Sequence, residues 1–193
     1  NVSLSLADYG SLKGNFRLPL PAHLPFEFDL AGPLQVTLQG QAQEKGLLSA
    51  FFPGMVEETR GIIDLDFNAR GTWGQPDLQG SLELSNAGAF IPSLGIRVDD
   101  LSSRWKLRNE QIQVESLRVR SGPGSLEGTG TIWLKGWRME RFEGNLKGEK
   151  FQSFYLPTMR ILSSPRLQFH GTPSHLSVRG AILPPEAHLY AAP

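Results

Sequence analysis

Cysteine is absent from the 193-residue chain, which excludes disulfide frameworks, thiolate zinc sites and cysteine nucleophiles. An excess of one charge is also missing, because 19 Lys and Arg balance 19 Asp and Glu. We therefore expect no nucleic-acid partner, since neutralising phosphates takes a basic excess. Long apolar runs are lacking too, and the longest, at 47–56, falls far short of the roughly 18–20 residues that span a bilayer. With no signal-peptide pattern after Asn1, we expect a segment of a longer protein whose anchor lies elsewhere.

Groupings of catalytic residues are missing as well. His170 and His175 flank a predicted turn that carries no carboxylate or third histidine, so we predict no metal site. The adjacent carboxylates at 57–58 and 99–100 would point in different directions on a strand, and we interpret them as solvated. No nucleophile elbow, phosphate loop or dinucleotide fingerprint occurs. We predict that the protein is not an enzyme and has no cofactor.

Strict alternation of apolar and polar residues runs through most of the chain. Ile63, Leu65 and Phe67, for example, alternate with Asp64 and Asp66. This period predicts strands with one apolar and one polar face, typical of an antiparallel sheet. About 12–14 such strands are expected, and open sheets beyond about ten strands curl, split or close.

We therefore predict an all-β fold in which residues 1–193 form one continuous unit. Its sheet is expected to be elongated, curved, twisted and antiparallel-rich, folded like a taco into a U-shaped groove with an apolar inner face. A two-layer sandwich is the alternative, but it would show tighter hairpin turns than the clearest ones, at 86–88 and 108–110. Two stretches with helical spacing, at about 46–58 and 151–163, predict short helices that cover apolar sheet surface rather than contact a membrane.

Parity assigns residues to the inner face. The predicted groove lining is Leu65, Phe67, Leu82, Leu84, Ile96, Val98, Leu107, Ile112, Val114, Ile132, Leu134, Leu146, Phe169, Val178 and Ile182. Glycines that recur at apolar-face positions are interpreted as sheet-bending residues, although glycine is simply common in β-rich chains: Gly14, Gly80, Gly128, Gly144 and Gly180. An apolar groove of this size exceeds the few hundred Å² that soluble proteins expose, so we expect an apolar ligand to occupy it.

Two motifs and a partial repeat resemble a known family. Residues 71–84 follow the pattern G-T…P-x-L-x-G-x-L-x-L, and residues 89–101 follow I-P…L-G…D-L. A further copy spans 164–187, and the match as a whole covers about 61–189. The chain thus resembles the TamB family, which is similar to AsmA-like and bridge-type lipid transfer proteins.

The resemblance implies a periplasmic segment of a protein anchored in the inner membrane of a Gram-negative bacterium. It implies phospholipid as the ligand and an outer-membrane barrel of the TamA type as the partner, reached through regions outside this segment. One expected function is a conduit that carries acyl chains between the two membranes. The alternative is an assembly factor for outer-membrane and autotransporter proteins that acts by β-strand addition.

Overall fold

The structure, a computed structural model, describes residues 2–6, 10–17, 29–44 and 53–189. These residues form a single 12-stranded antiparallel sheet, and none of them is helical. The strands are β1 (Val2–Leu6), β2 (Gly10–Arg17), β3 (Pro33–Glu44), β4 (Glu57–Thr72), β5 (Pro76–Ile91), β6 (Ile96–Arg108), β7 (Gln111–Ser121), β8 (Gly124–Lys135), β9 (Arg138–Glu149), β10 (Phe151–Leu156), β11 (Met159–Thr172) and β12 (His175–Leu189). The predicted all-β, antiparallel sheet is confirmed.

Each strand from β1 to β8 pairs with the next one along the chain, as hairpin connections favour. The order then changes, because β11 pairs with β12 along one edge and with both β9 and β10 along the other. β9 and β10 are separated only by Lys150, whose φ is +47°. The strand is therefore interrupted at Lys150, while β9 and β10 pair one after the other with the same edge of β11.

The helix predicted at 151–163 is wrong, because these residues form β10, a turn and the start of β11. Phe151 and Phe154 are three residues apart, which suggested a helical period. A β-bulge at Ser153 inserts an extra residue between them, so both point to the same side of the strand. Pro157 lies in the turn, where it costs nothing, whereas inside a helix it would cost about 3 kcal/mol.

Two other predictions fall near the bulged half of β4 and β5. Most of the helix predicted at 46–58 lies outside the described residues, while residues 53–55 form a turn and β4 begins at Glu57. The turn predicted at 86–88 is wrong, because β5 continues through it as a bulge with Asn86 at a φ of +50°. Asparagine tolerates this left-handed conformation better than most residues. The turn at 108–110 is confirmed between β6 and β7.

Register separates the two faces of the sheet, since cross-strand partners point to the same side. One row of partners crosses eight strands on the inner face: Leu65, Leu82, Trp105, Val114, Gly130, Gly144, Phe169 and Val178. The neighbouring row on the outer face is polar: Asp66, Ser81, Lys106, Gln113, Thr131, Glu143, His170 and Ser177. The apolar core of the protein is therefore its inner face.

Candidate lipid-binding groove

The inner face carries all fifteen of the residues predicted to line a groove, as the strand register shows. They differ in burial. Ile96 is 2% exposed and Val98 is also buried, whereas Val178 and Ile182 on β12 are 52% and 59% exposed. The inner face is thus packed in some places and open in others, and its parts differ in what they can bind.

A cavity of about 240 Å³ lies on the inner face over β6 to β9 and β11. Its walls include Val114, Ile132, Leu146 and Phe169 from the predicted lining. Four further residues of the cavity wall were not among the predicted lining: Trp105, Leu117, Met139 and Phe142. Trp105 and Phe142 could have been found by parity, but bulges beside Leu117 and Met139 interrupt the alternation that would have indicated them.

The cavity exists partly because glycines, which have no side chain, occupy inner-face positions beside it. Gly128 and Gly130 are successive inner-face positions of β8, and both line the cavity. A side chain at either position would project into that space, and a Cβ on Gly130 would lie 2.8 Å from the Glu143 carbonyl oxygen. The missing side chains therefore make room for a ligand beside a continuous apolar surface.

The five glycines predicted to bend the sheet are placed as follows. Gly14, Gly80, Gly144 and Gly180 lie within unbroken ladders, and Gly128 borders the bulge in β7. Their common feature is close approach of a neighbouring group. A Cβ on Gly144, for example, would lie 2.4 Å from the Phe169 ring. Their role in bending stays a prediction.

One end of the inner face is closed by β10. This strand contacts β6, β7 and β8, and the Tyr155 amide donates a hydrogen bond to the Leu94 carbonyl at 2.9 Å. Phe151 is buried there with Ile96 and Val98, and the half-buried residues around them are Ile91, Leu94, Leu101, Val119 and Leu126. We call this group of eight residues the β10 cluster. It excludes a ligand from that end of the groove.

The other end is narrowed by contacts between distant strands. Leu134 of β8 packs against a buried cluster that contains Leu34, Ala69 and Leu78 from β3, β4 and β5. In a flat sheet β5 and β8 would lie about 14 Å apart, at roughly 4.8 Å per strand, so the sheet must curl to bring them together. The rings of Trp73 and Trp137 stack with centroids 5.1 Å apart at the same end. The cavity therefore lies between two packed regions.

The outer face is held by ion pairs across strands. Arg60 lies over Gly88 of β5 and reaches Asp99 of β6. Glu58 accepts a hydrogen bond from Arg97 at 2.6 Å, and this contact lowers the pKa of the Glu58 carboxyl from its ordinary value. Both pairs are exposed, so water and salt screen them and they stabilise the fold by little.

Within the described ranges no three His, Asp or Glu side chains come together as metal ligands. The described residues also include no helix long and apolar enough to cross a membrane. His170 and His175 lie near the tip of the β11–β12 hairpin, both exposed. Comparison of the chain with protein-family models, with curated proteins and with solved structures found no match.

Proposed function

We propose that the protein is a segment of a lipid-carrying groove, in which acyl chains of phospholipids lie against the inner face of the sheet. The observation that carries this proposal is the apolar cavity of about 240 Å³ between the two packed regions. Sites that enclose a whole drug-sized molecule have about 300–1,000 Å³, so this cavity suits part of one acyl chain. Each methylene that leaves water contributes about 0.8 kcal/mol, which rewards a long chain without any specific polar contact.

The resemblance to the TamB family supports the same proposal. It suggests a periplasmic segment that helps carry phospholipid between the inner and outer membranes and that meets a TamA-type barrel through other regions. In this role the groove needs an apolar surface and no specific polar contact. Among the described residues, the buried polar side chains are small hydroxyls such as Ser103 and Ser121. Head groups would stay outside the cavity, in contact with water.

Filling the cavity tests the proposal. Val114 is half-buried at the cavity wall, while Gln113 is exposed on the opposite face of the same strand. We expect Val114→Trp to occupy the space of the ligand and to reduce co-purifying lipid, measured by mass spectrometry of an organic extract, several-fold. Gln113→Trp adds the same ring to the outer face and should leave the lipid content unchanged. Equal lipid in both variants would contradict the proposal.

The alternative function, assembly of outer-membrane proteins by strand addition, is favoured by a different feature. β12 pairs with β11 along one edge only, and no described residue pairs with its other edge. Leu176, Val178, Ile182 and Leu183 are exposed along this strand. An exposed apolar edge strand is a template for another extended chain.

Introducing lysines into β12 distinguishes the two functions. If the edge captures extended clients, Val178→Lys with Ile182→Lys should abolish binding of an unfolded barrel peptide, measured by fluorescence anisotropy, because charged edges resist pairing. The cavity walls lie on β6 to β9 and β11, so the same variant should keep its lipid. If the variant instead lost lipid and kept peptide binding, the lipid would lie on β12 and not in the cavity, and the client peptide would not bind at the β12 edge.

A further inference from the structure

A second hollow, of about 670 Å³, lies on the polar outer face across β7, β8, β9, β11 and β12. Strongly twisted sheets are saddle-shaped, so the outer face is also concave along one diagonal. The register forms this hollow from two adjacent rows. The first row is Arg118, Glu127, Lys147 and Arg166, and the second row is Thr129, Asn145, Gln168 and Arg179.

Positive charge dominates this hollow, although the chain as a whole has a formal net charge of zero. Four cationic side chains line it, against two carboxylates, Glu115 and Glu127. Both carboxylates are already engaged: Lys106 Nζ lies 2.5 Å from Glu115 Oε1, and Arg118 Nε lies 3.3 Å from Glu127 Oε1. The remaining cations, defined here as the basic triad, are Lys147, Arg166 and Arg179.

The basic triad has no acidic partner within 4.0 Å among the described side chains. Lys147 and Arg166 are moreover direct cross-strand partners. Like charges in that position destabilise a sheet. Lys147 faces Glu127 on its other side, but that carboxylate is paired with Arg118, so an anion between Lys147 and Arg166 would relieve their repulsion. Arg179 is diagonal to Arg166, because its own partner is Gln168. Diagonal neighbours lie about 7–8 Å apart, within reach of two arginine side chains that share one ligand.

The backbone brings Arg179 close to Arg166. Gly180, the next residue on β12, has a φ of +142°, which side chains rarely adopt. A Cβ at this position would lie 2.0 Å from the Arg166 carbonyl oxygen, so only glycine permits this approach of β12 to β11. Arg166 and Arg179 therefore lie on adjacent, paired strands, on either side of a position that requires glycine.

We propose that this hollow binds a phosphate-bearing anion through the basic triad. Guanidinium groups bind phosphate oxygens in a bidentate manner, and the lysine adds a point charge. The site lies on the opposite face of the sheet from the apolar cavity and does not depend on the lipid groove. A soluble phosphate compound and a phospholipid head group share this chemistry, and the experiment separates them.

The test is calorimetric titration of the protein with inorganic pyrophosphate, together with flotation on vesicles of phosphatidylglycerol or of phosphatidylcholine. We expect Arg166→Gln with Arg179→Gln to weaken pyrophosphate binding about tenfold or more, because each substitution removes charge-assisted hydrogen bonds to the phosphate and so lowers the affinity. The matched control is Arg108→Gln on β6, an exposed outer-face arginine outside the hollow, which should bind like the unmodified protein.

The two sources of phosphate give different results. Pyrophosphate binding that requires the basic triad, without flotation, supports a soluble ligand, while flotation on phosphatidylglycerol alone that requires the triad supports a head group. The proposal is overturned if the unmodified protein binds neither probe, or if the double variant binds as well as the Arg108→Gln control. Thermal melting separates a loss of binding from a loss of folding. Removing Arg166 relieves like-charge repulsion, so the melting temperature of the double variant should equal or exceed that of the unmodified protein.

Discussion

Replacing Ile96 by alanine is expected to destabilise the protein by about 2–5 kcal/mol, the largest single-residue effect on stability that the structure suggests. Ile96 is 2% exposed and packs with Val98 and Phe151 in the β10 cluster. The substitution removes apolar contacts and leaves a cavity, because β10 and the ends of β6 and β8 cannot collapse onto it fully. Urea denaturation, followed by tryptophan fluorescence, measures the change in the free energy of unfolding.

Ile182 provides the matched control, since it has the same side chain on the same face of the sheet. It is 59% exposed on β12, so Ile182→Ala should change the free energy of unfolding by no more than about 0.5 kcal/mol. A large difference between the two variants means that β10 closes one end of the inner face. Similar small losses would instead indicate that the inner face is open along its whole length.

Much of the fold was predictable from the sequence because alternation is a local signal. Residues 63–67 read as a strand with one apolar face, and the register places Ile63, Leu65 and Phe67 on the inner face and the two aspartates between them on the outer face. One continuous, curved sheet was predicted because open sheets with more than about ten strands curl, split or close. What parity could not supply is which part of the apolar face is covered, since this depends on contacts between strands far apart in the chain, such as the packing of Leu134 of β8 against the cluster that contains Leu34, Ala69 and Leu78.

Bulges account for the errors. An inserted residue shifts the apolar pattern from a period of two toward three, and so Phe151 and Phe154 resembled one face of a helix. Asn86 resembled a hairpin turn because a positive φ suits both a turn and a bulge. In both cases the correct assignment depends on the paired strand, β11 or β4, which a reading of the local sequence does not include. The cavity was missed in the same way, since its floor combines two glycines with walls from five strands.

A charge in the cavity is expected to have the largest effect on ligand binding. Leu146 is half-buried at the cavity wall, and its cross-strand partners are Gly128 and Leu167. The Leu146→Asp variant should lose bound lipid almost completely. A carboxylate in an apolar site costs several kcal/mol unless water enters with it, and that water would displace the acyl chain.

The same lipid extraction used for Val114→Trp measures this loss, and thermal melting reports the fold. Gln113 is exposed on the outer face of β7 and lines neither the cavity nor the basic hollow, so Gln113→Asp adds an identical charge outside both and should retain the lipid. Leu146→Met should also retain it, because the groove requires an apolar surface and not one particular side chain, and such swaps usually cost less than about 1.5 kcal/mol. A folded Leu146→Asp variant that carries as much lipid as Gln113→Asp would show that acyl chains do not occupy this cavity.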